Sequence, residues 1–154
     1  MYYKCKHFKI YELVDPEIYR KRGEKAWELF DYRILETIDI LRDYFYEKYG
    51  AVMIINTWKW GGKRKWSGFR TPSSKYYSPT SQHSHGRAVD FILQDKKTKK
   101  YISTQKIRNE IKEDYDSFEF NDITCLEDFK GMTWVHVDTR NWNKELHGLK
   151  IVGK

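Results

Sequence analysis

The sequence predicts an α+β domain in which helices pack on a largely antiparallel sheet. Helix-period apolar residues fill the first third of the chain, strand-like apolar runs dominate after Gly50, and no repeat or low-complexity tract breaks the order. With 154 residues the chain is one domain's worth, so residues 1–154 read as a single unit. A content of 40% hydrophobic and 17% aromatic residues is enough to fill one core and too high for a disordered polypeptide.

The elements follow in order. His7 to Val14, with Phe8, Ile10 and Leu13, reads as a short strand. Asp15, Pro16 and Glu17 form an N-cap, a first-turn proline and an acidic first turn, which predicts a short helix to about Gly23. From Glu24 to Tyr49 the residues Ala26, Trp27, Phe30, Ile34, Ile38, Leu41 and Phe45 recur at three- and four-residue steps, a helical stripe facing a core. Gly50 suits the residue that ends such a helix, and Ala51 to Thr57 is the apolar run of a buried strand. From Trp58 to Ser84 the pattern dissolves into Gly, Ser, Pro, Lys and aromatic residues. Aperiodic stretches of that length are uncommon in compact domains and often functional. Arg87 to Leu93 reads as a strand, Thr104 to Tyr115 as a helix, and Asp122 to Glu127 and Thr133 to Thr139 as two strands around Gly131.

Charge and composition narrow the partners. The chain carries 29 Lys plus Arg against 22 Asp plus Glu, a formal charge of +7. That surplus favours an acidic partner: nucleic acid, an anionic membrane or a bacterial wall polymer. Mean hydropathy is -0.84, and no apolar run approaches the roughly 18 residues of a membrane span, so a spanning protein is not expected. Met1 to Ile10 is basic and aromatic, without an apolar core or small-residue cleavage site, so no secretory signal is expected there. The chain is expected to be made in the cytoplasm and to need another route for any exit. Cys5 and Cys125 form no C-x-x-C pair and are expected as two free thiols.

Three of the five histidines sit in two unusual stretches, S-Q-H-S-H-G-R-A-V-D from Ser81 to Asp90 and T-W-V-H-V-D-T-R from Thr133 to Arg140. The spacing S-x-H-x-x-G-x-A-x-D followed by W-x-H resembles the zinc D-alanyl-D-alanine carboxypeptidase and L-alanyl-D-glutamate endopeptidase superfamily, whose fold the Hedgehog signalling domain shares. Ser81, His83, Gly86, Ala88 and Asp90 match it, as does S-G-F-R at Ser67 to Arg70. In detail I-N-T-W, G-G, S-G-F-R, I-T-x-x-E and W-V-H-V-D-x-R are similar to small phage-encoded members. The likeness runs from about Ala51 to Arg140. It implies zinc held by His83, Asp90 and His136, and an arginine, Arg70, that holds substrate or the developing oxyanion.

The chemistry of the residues agrees. Catalytic zinc takes three protein ligands from His and carboxylate among others and keeps a fourth position for water. On the strand from Arg87, Ala88 and Asp90 face one way while Val89 and Phe91 face the core, so a rigid element delivers the carboxylate. Gly86 permits close backbone approach beside it. The carboxypeptidase branch of the resemblance has Glu or Asp three residues before the last histidine, where this chain has Thr133, a poor base. A hairpin with an even-numbered loop pairs Glu127 with Trp134 on the face of His136, and places Cys125 opposite His136. Glu127 also matches the glutamate of the phage-like I-T-x-x-E segment, which makes it the expected general base. Asp138, on the same face as His136, reads as a carboxylate that orients this imidazole. His85 is structural or substrate-facing, and His7 and His147 have no motif around them.

The resemblance implies a zinc-dependent peptidase acting on peptidoglycan stem peptides, a phage lysis or virion-associated enzyme reaching the wall after release. The alternative is a catalytically inactive, zinc-stabilised wall-binding or structural module, which Thr133 permits. A third reading, a nucleic-acid binder, rests on aromatics interleaved with cations from Trp58 to Trp66. It is the weakest, because a positive loop beside a zinc site serves an acidic wall equally well.

Overall fold

Asp15 accepts a hydrogen bond from the Ile18 amide and so caps helix α1, Pro16–Arg22, at the expected place. The computed structural model describes residues 2–153. The long apolar stripe does not form one helix. Gly23–Leu29 winds as a 3₁₀ segment, Phe30 turns to extended backbone (ψ 143°), and Asp31 then caps α2, Tyr32–Tyr49, by accepting from the Arg33 amide. Asp31 favours a cap over a helix interior, and its amide is held by the Gly86 carbonyl at 2.9 Å, which fixes the break. Both pieces bury the same residues the stripe marked, Ala26, Trp27, Ile34, Ile38, Leu41 and Phe45 among them. Gly50, at φ 62°, ends α2 in the left-handed region.

The sheet has five strands: β1 Ala51–Ile54, β2 Ala88–Asp95, β3 Cys125–Glu127, β4 Val135–Asp138 and β5 Lys150–Val152, in the order β1-β2-β4-β3-β5. It is mostly antiparallel, as expected, with β3 and β5 parallel. β2 is long enough to serve two partners. Its C-terminal half pairs with β1 (Ile54 with Ile92) and its N-terminal half with β4, where Asp90 stands directly opposite His136. One face carries Met53, Val89, Phe91, Leu126, Val135 and Val137 into a core shared with α2 and with Ile107 and Ile111 of α3, Thr104–Glu113. Period-2 alternation turns Ala88, Asp90, His136, Asp138, Cys125 and Glu127 to the other face. A short helix α4, Lys144–His147, precedes β5; no sequence signal singled out either. No helix among the described residues is long and apolar enough to cross a membrane.

His7 to Val14 forms no strand. Phe8, Ile10, Leu13 and Val14 are buried, as their apolar character predicted, but Ile10–Glu12 is a 3₁₀ turn. Its backbone has other partners. The Asp39 carboxylate accepts from the Lys6 and His7 amides, while the carbonyls of Glu12, Leu13 and Val14 accept from the Asn56 amide, the Phe69 amide, and the Asn56 and Trp58 side chains. The segment is thus the anchor of the long aperiodic stretch, which meets strand β2 at Asp90. The Asp90 amide donates to the Ser67 carbonyl at 2.7 Å, and the half-buried Arg64 guanidinium binds the carbonyls of Ile55 and Asp90.

Gly86 makes the tightest of these contacts. A β-carbon there would lie 1.9 Å from the Leu29 carbonyl oxygen, and φ is +66°. Gly86→Ala is expected to cost at least about 2 kcal/mol, from the left-handed conformation and the clash together. Gly50→Ala, at φ +62° with nothing within 4 Å, carries the conformational cost alone. Chemical denaturation of the two variants reads the difference, and equal losses would show that the Gly86 contact is slack.

Candidate metal centre

Two neighbouring strands and one turn build the site. Asp90 on β2 and His136 on β4 are register partners, and His83 comes from the 3₁₀ turn Gln82–His85, capped by Ser81 and closed by Gly86. All three residues are buried, and one ligand atom from each lies within 4.8 Å of the others. Asp90 Oδ1 is 3.2 Å from His83 Nε2 and 2.9 Å from His136 Nδ1. The group could hold a metal ion.

The far side of each imidazole fixes its tautomer. His83 Nδ1–H donates to the Gly68 carbonyl at 2.8 Å, which turns Nε2 toward Asp90. His136 Nε2–H donates to Asp138 Oδ2 at 2.8 Å, which turns Nδ1 inward. Asp138, fully buried, is in turn clamped by Arg140 through Nε to Oδ1 (2.8 Å) and Nη2 to Oδ2 (2.6 Å). Asp138 thus lies behind the His136 ring, with its oxygens spent on His136 and Arg140.

The charges are tightly set. Burial opposes ionisation of Asp138, but the bonds from Arg140 and His136 hold its carboxyl at about 2. Burial likewise opposes a charge on His136, yet hydrogen bonds to Asp138 and Asp90 outweigh it and raise the imidazole to about 10. Asp90 stays well below the ordinary carboxylate range despite burial, because His83 and His136 surround it. Three carboxylates, those of Asp90, Asp138 and Glu127, bear on His136, so the centre favours positive charge. Two inward-facing imidazole nitrogens and one carboxylate oxygen, with orienting bonds behind them, fit the donor set of a divalent transition metal, which on binding would displace the proton that His136 Nδ1 shares with Asp90.

One side of the centre opens into a cleft of about 440 Å³ lined by Trp66, Arg70, Tyr76, His83, Glu127 and Trp134, among others. Glu127 Oε1 is 3.6 Å from His136 Nδ1, and its side chain is 29% exposed toward that space. The hairpin register differs from the expected one by two residues. Cys125 pairs with Asp138 and Leu126 with Val137, so Glu127 comes level with His136 itself, not with Trp134, and Cys125 is not opposite His136. The loop parity was right, which is why Glu127 still shares the face of His136. Cys125 is buried, and burial followed by Asp138 pushes its thiol up to about 12, an inert state. Thr133 is exposed and precedes β4.

Arg70 lines the cleft, but its guanidinium is engaged: Nη2 donates to Asp90 Oδ2 at 3.0 Å and Nε to the Trp66 carbonyl at 2.9 Å. It aims Asp90 so that Oδ1 faces both imidazoles. His85 is exposed and bonds the Pro79 carbonyl, and His7 pairs with Asp43, both away from the centre. Four residues without an expected role at this centre support the site. Asn56 ties Ser67 to Val14, Arg64 ties the loop to β2, Arg140 clamps Asp138, and buried Arg108 of α3 donates to the Trp134 carbonyl at 2.7 Å with its Nε 3.3 Å from Asp128. Only Asn56 and Arg140 lay in quoted motifs, and a buried Asn in an apolar run must find partners. No protein-family model, curated protein or solved structure matches the chain.

Proposed function

We propose that this chain is a zinc-dependent peptidase of the D-alanyl-D-alanine carboxypeptidase and L-alanyl-D-glutamate endopeptidase superfamily, cleaving a peptide bond in peptidoglycan stem peptides. The observation that carries the reading is the meeting, at the floor of a cleft, of His83, Asp90 and His136 with the Glu127 carboxylate from a fourth element, β3. Held by the three ligands, zinc would supply Lewis acidity, polarising a peptide carbonyl and easing deprotonation of water. The chain's own residues supply the rest. Glu127 takes a proton from the water that adds to the carbonyl carbon, and returns it to the amine as the carbon–nitrogen bond breaks. Arg70 keeps Asp90 in place and offers positive charge beside the developing oxyanion. The cleft rim of Lys63, Lys65 and Trp66 suits a substrate carrying carboxylates. The resemblance to small phage-encoded members supports a role in lysis or on a virion, acting on the wall after release.

Purified peptidoglycan digested with and without a chelator tests this. Stem-peptide fragments, identified by mass and absent when chelator is present, are the expected result. No fragments from any wall preparation by metal-loaded protein would assign the chain to an inactive wall-binding module instead.

A further inference from the structure

Beyond the cleft, the aperiodic loop displays a second feature. From Lys48 to Val89 the chain contains no Asp or Glu, while Lys59, Lys63, Arg64, Lys65, Arg70 and Lys75 fall within it. On this loop Trp58 and Trp60 join Tyr11 and Tyr19 in a surface cluster. Tyr11 packs edge-on to Tyr19 (5.8 Å) and to Trp60 (5.7 Å), and Tyr19 meets Trp58 at 5.9 Å. Lys59 Nζ sits 5.6 Å from both tyrosine ring centres, and Trp60 is 64% exposed. A tryptophan so exposed adds little to a core, yet its backbone is pinned by bonds to the Thr57 carbonyl from the amides of Trp60 and Gly62. The patch is continuous with the cleft: the Trp58 indole donates to the Val14 carbonyl and the Trp66 indole to the adjacent Asp15 carboxylate.

We propose that this aromatic and cationic face binds the amino-sugar strand of the wall polymer, seating it so that its stem peptides enter the cleft. The inference rests on the wall-polymer substrate proposed above. An exposed indole face, with its negative π cloud, accepts the C–H face of a sugar ring, and neighbouring tyrosine hydroxyls and lysine ammonium groups meet its hydroxyls and the carboxylates of the attached peptides. The ring planes cross at 78° and 83° about Tyr11, so they offer one open platform rather than the run of parallel platforms that successive nucleic-acid bases use. The absence of acidic residues across the loop matches a polymer that bears carboxylates.

The probes are glycan strands stripped of their stem peptides, a soluble stem peptide and single-stranded DNA. Wild type is expected to bind the stripped glycan, and Trp60→Ala to weaken that binding about tenfold, with Trp60→Phe recovering part of it and thermal stability unchanged. Cleavage of the soluble peptide by Trp60→Ala should stay within about twofold of wild type, because Trp60 lies outside the cleft lining. Failure of wild type to bind stripped glycan, undiminished binding by Trp60→Ala, or tighter Trp60-dependent binding of DNA would each overturn the proposal. Glycan binding that depends on Trp60 without any peptide cleavage by wild type would uphold this surface and sink the peptidase reading alone.

Discussion

Elemental analysis of the purified protein is expected to return about one zinc per chain, and His83→Ala or His136→Ala close to none. The argument is geometric. The three ligand atoms already lie within 4.8 Å of one another, and each imidazole is aimed from behind, His83 by the Gly68 carbonyl and His136 by Asp138. Removing either nitrogen leaves two ligands, too few for a closed grip on the metal. Because the site forms only in the folded chain, metal held at a hundredfold excess over its dissociation constant stabilises the fold by about 2.7 kcal/mol. A chelator should then lower the melting temperature of wild type by roughly 5–10 °C. It should leave that of His83→Ala unmoved. Wild type without metal, or a variant with full occupancy, would remove His83, Asp90 and His136 as the ligand set.

How far this centre could be read from the sequence depends on which link of the argument is local. Alternation along one strand is local, so Asp90 and Ala88 facing away from Val89 and Phe91 followed from sequence, as did Glu127 sharing the face of His136. Register between strands is not local. That Asp90 stands opposite His136 depends on how β2 divides its length between β1 and β4, and no residue pattern states it. The two-residue offset of the β3–β4 pair is the same failure: loop parity is set by alternation, whereas absolute register is set by the turn around Gly131, at φ +84°, and by the β2 pairing. Apolar burial of Phe8, Ile10 and Leu13 was legible, but the use of the carbonyls of Glu12, Leu13 and Val14 as an anchor was not, because their partners lie more than forty residues away in Asn56, Trp58 and Phe69. Helix α2 shows propensity losing to a cap: the stripe ran through Asp31 unbroken, and the side chain of Asp31 ended it. The half-exposed strand β5 and buried Arg108 left no mark at all.

Glu127→Gln is expected to reduce peptide cleavage by about two to four orders of magnitude while zinc stays bound. The substitution keeps the size of the side chain and removes only its capacity to take a proton. Glu127 reaches the centre without being one of its three ligands: its Oε1 is 3.6 Å from His136 Nδ1, it lines the cleft, and it is partly exposed to the solvent that supplies the attacking water. Asp138 shares its face but is fully buried, with both oxygens bonded by Arg140 and one also by His136, so it has no open side toward substrate. Asp138→Asn should therefore act through the metal, loosening the His136 ring and lowering metal affinity by about 10–100-fold, with turnover per bound zinc largely kept. Measuring metal content and cleavage on the same preparations separates the two. A Glu127→Gln protein with wild-type turnover, beside an Asp138→Asn protein that is inactive with its zinc intact, would move the base to Asp138 and require the β3–β4 hairpin to seat Glu127 away from the reacting bond.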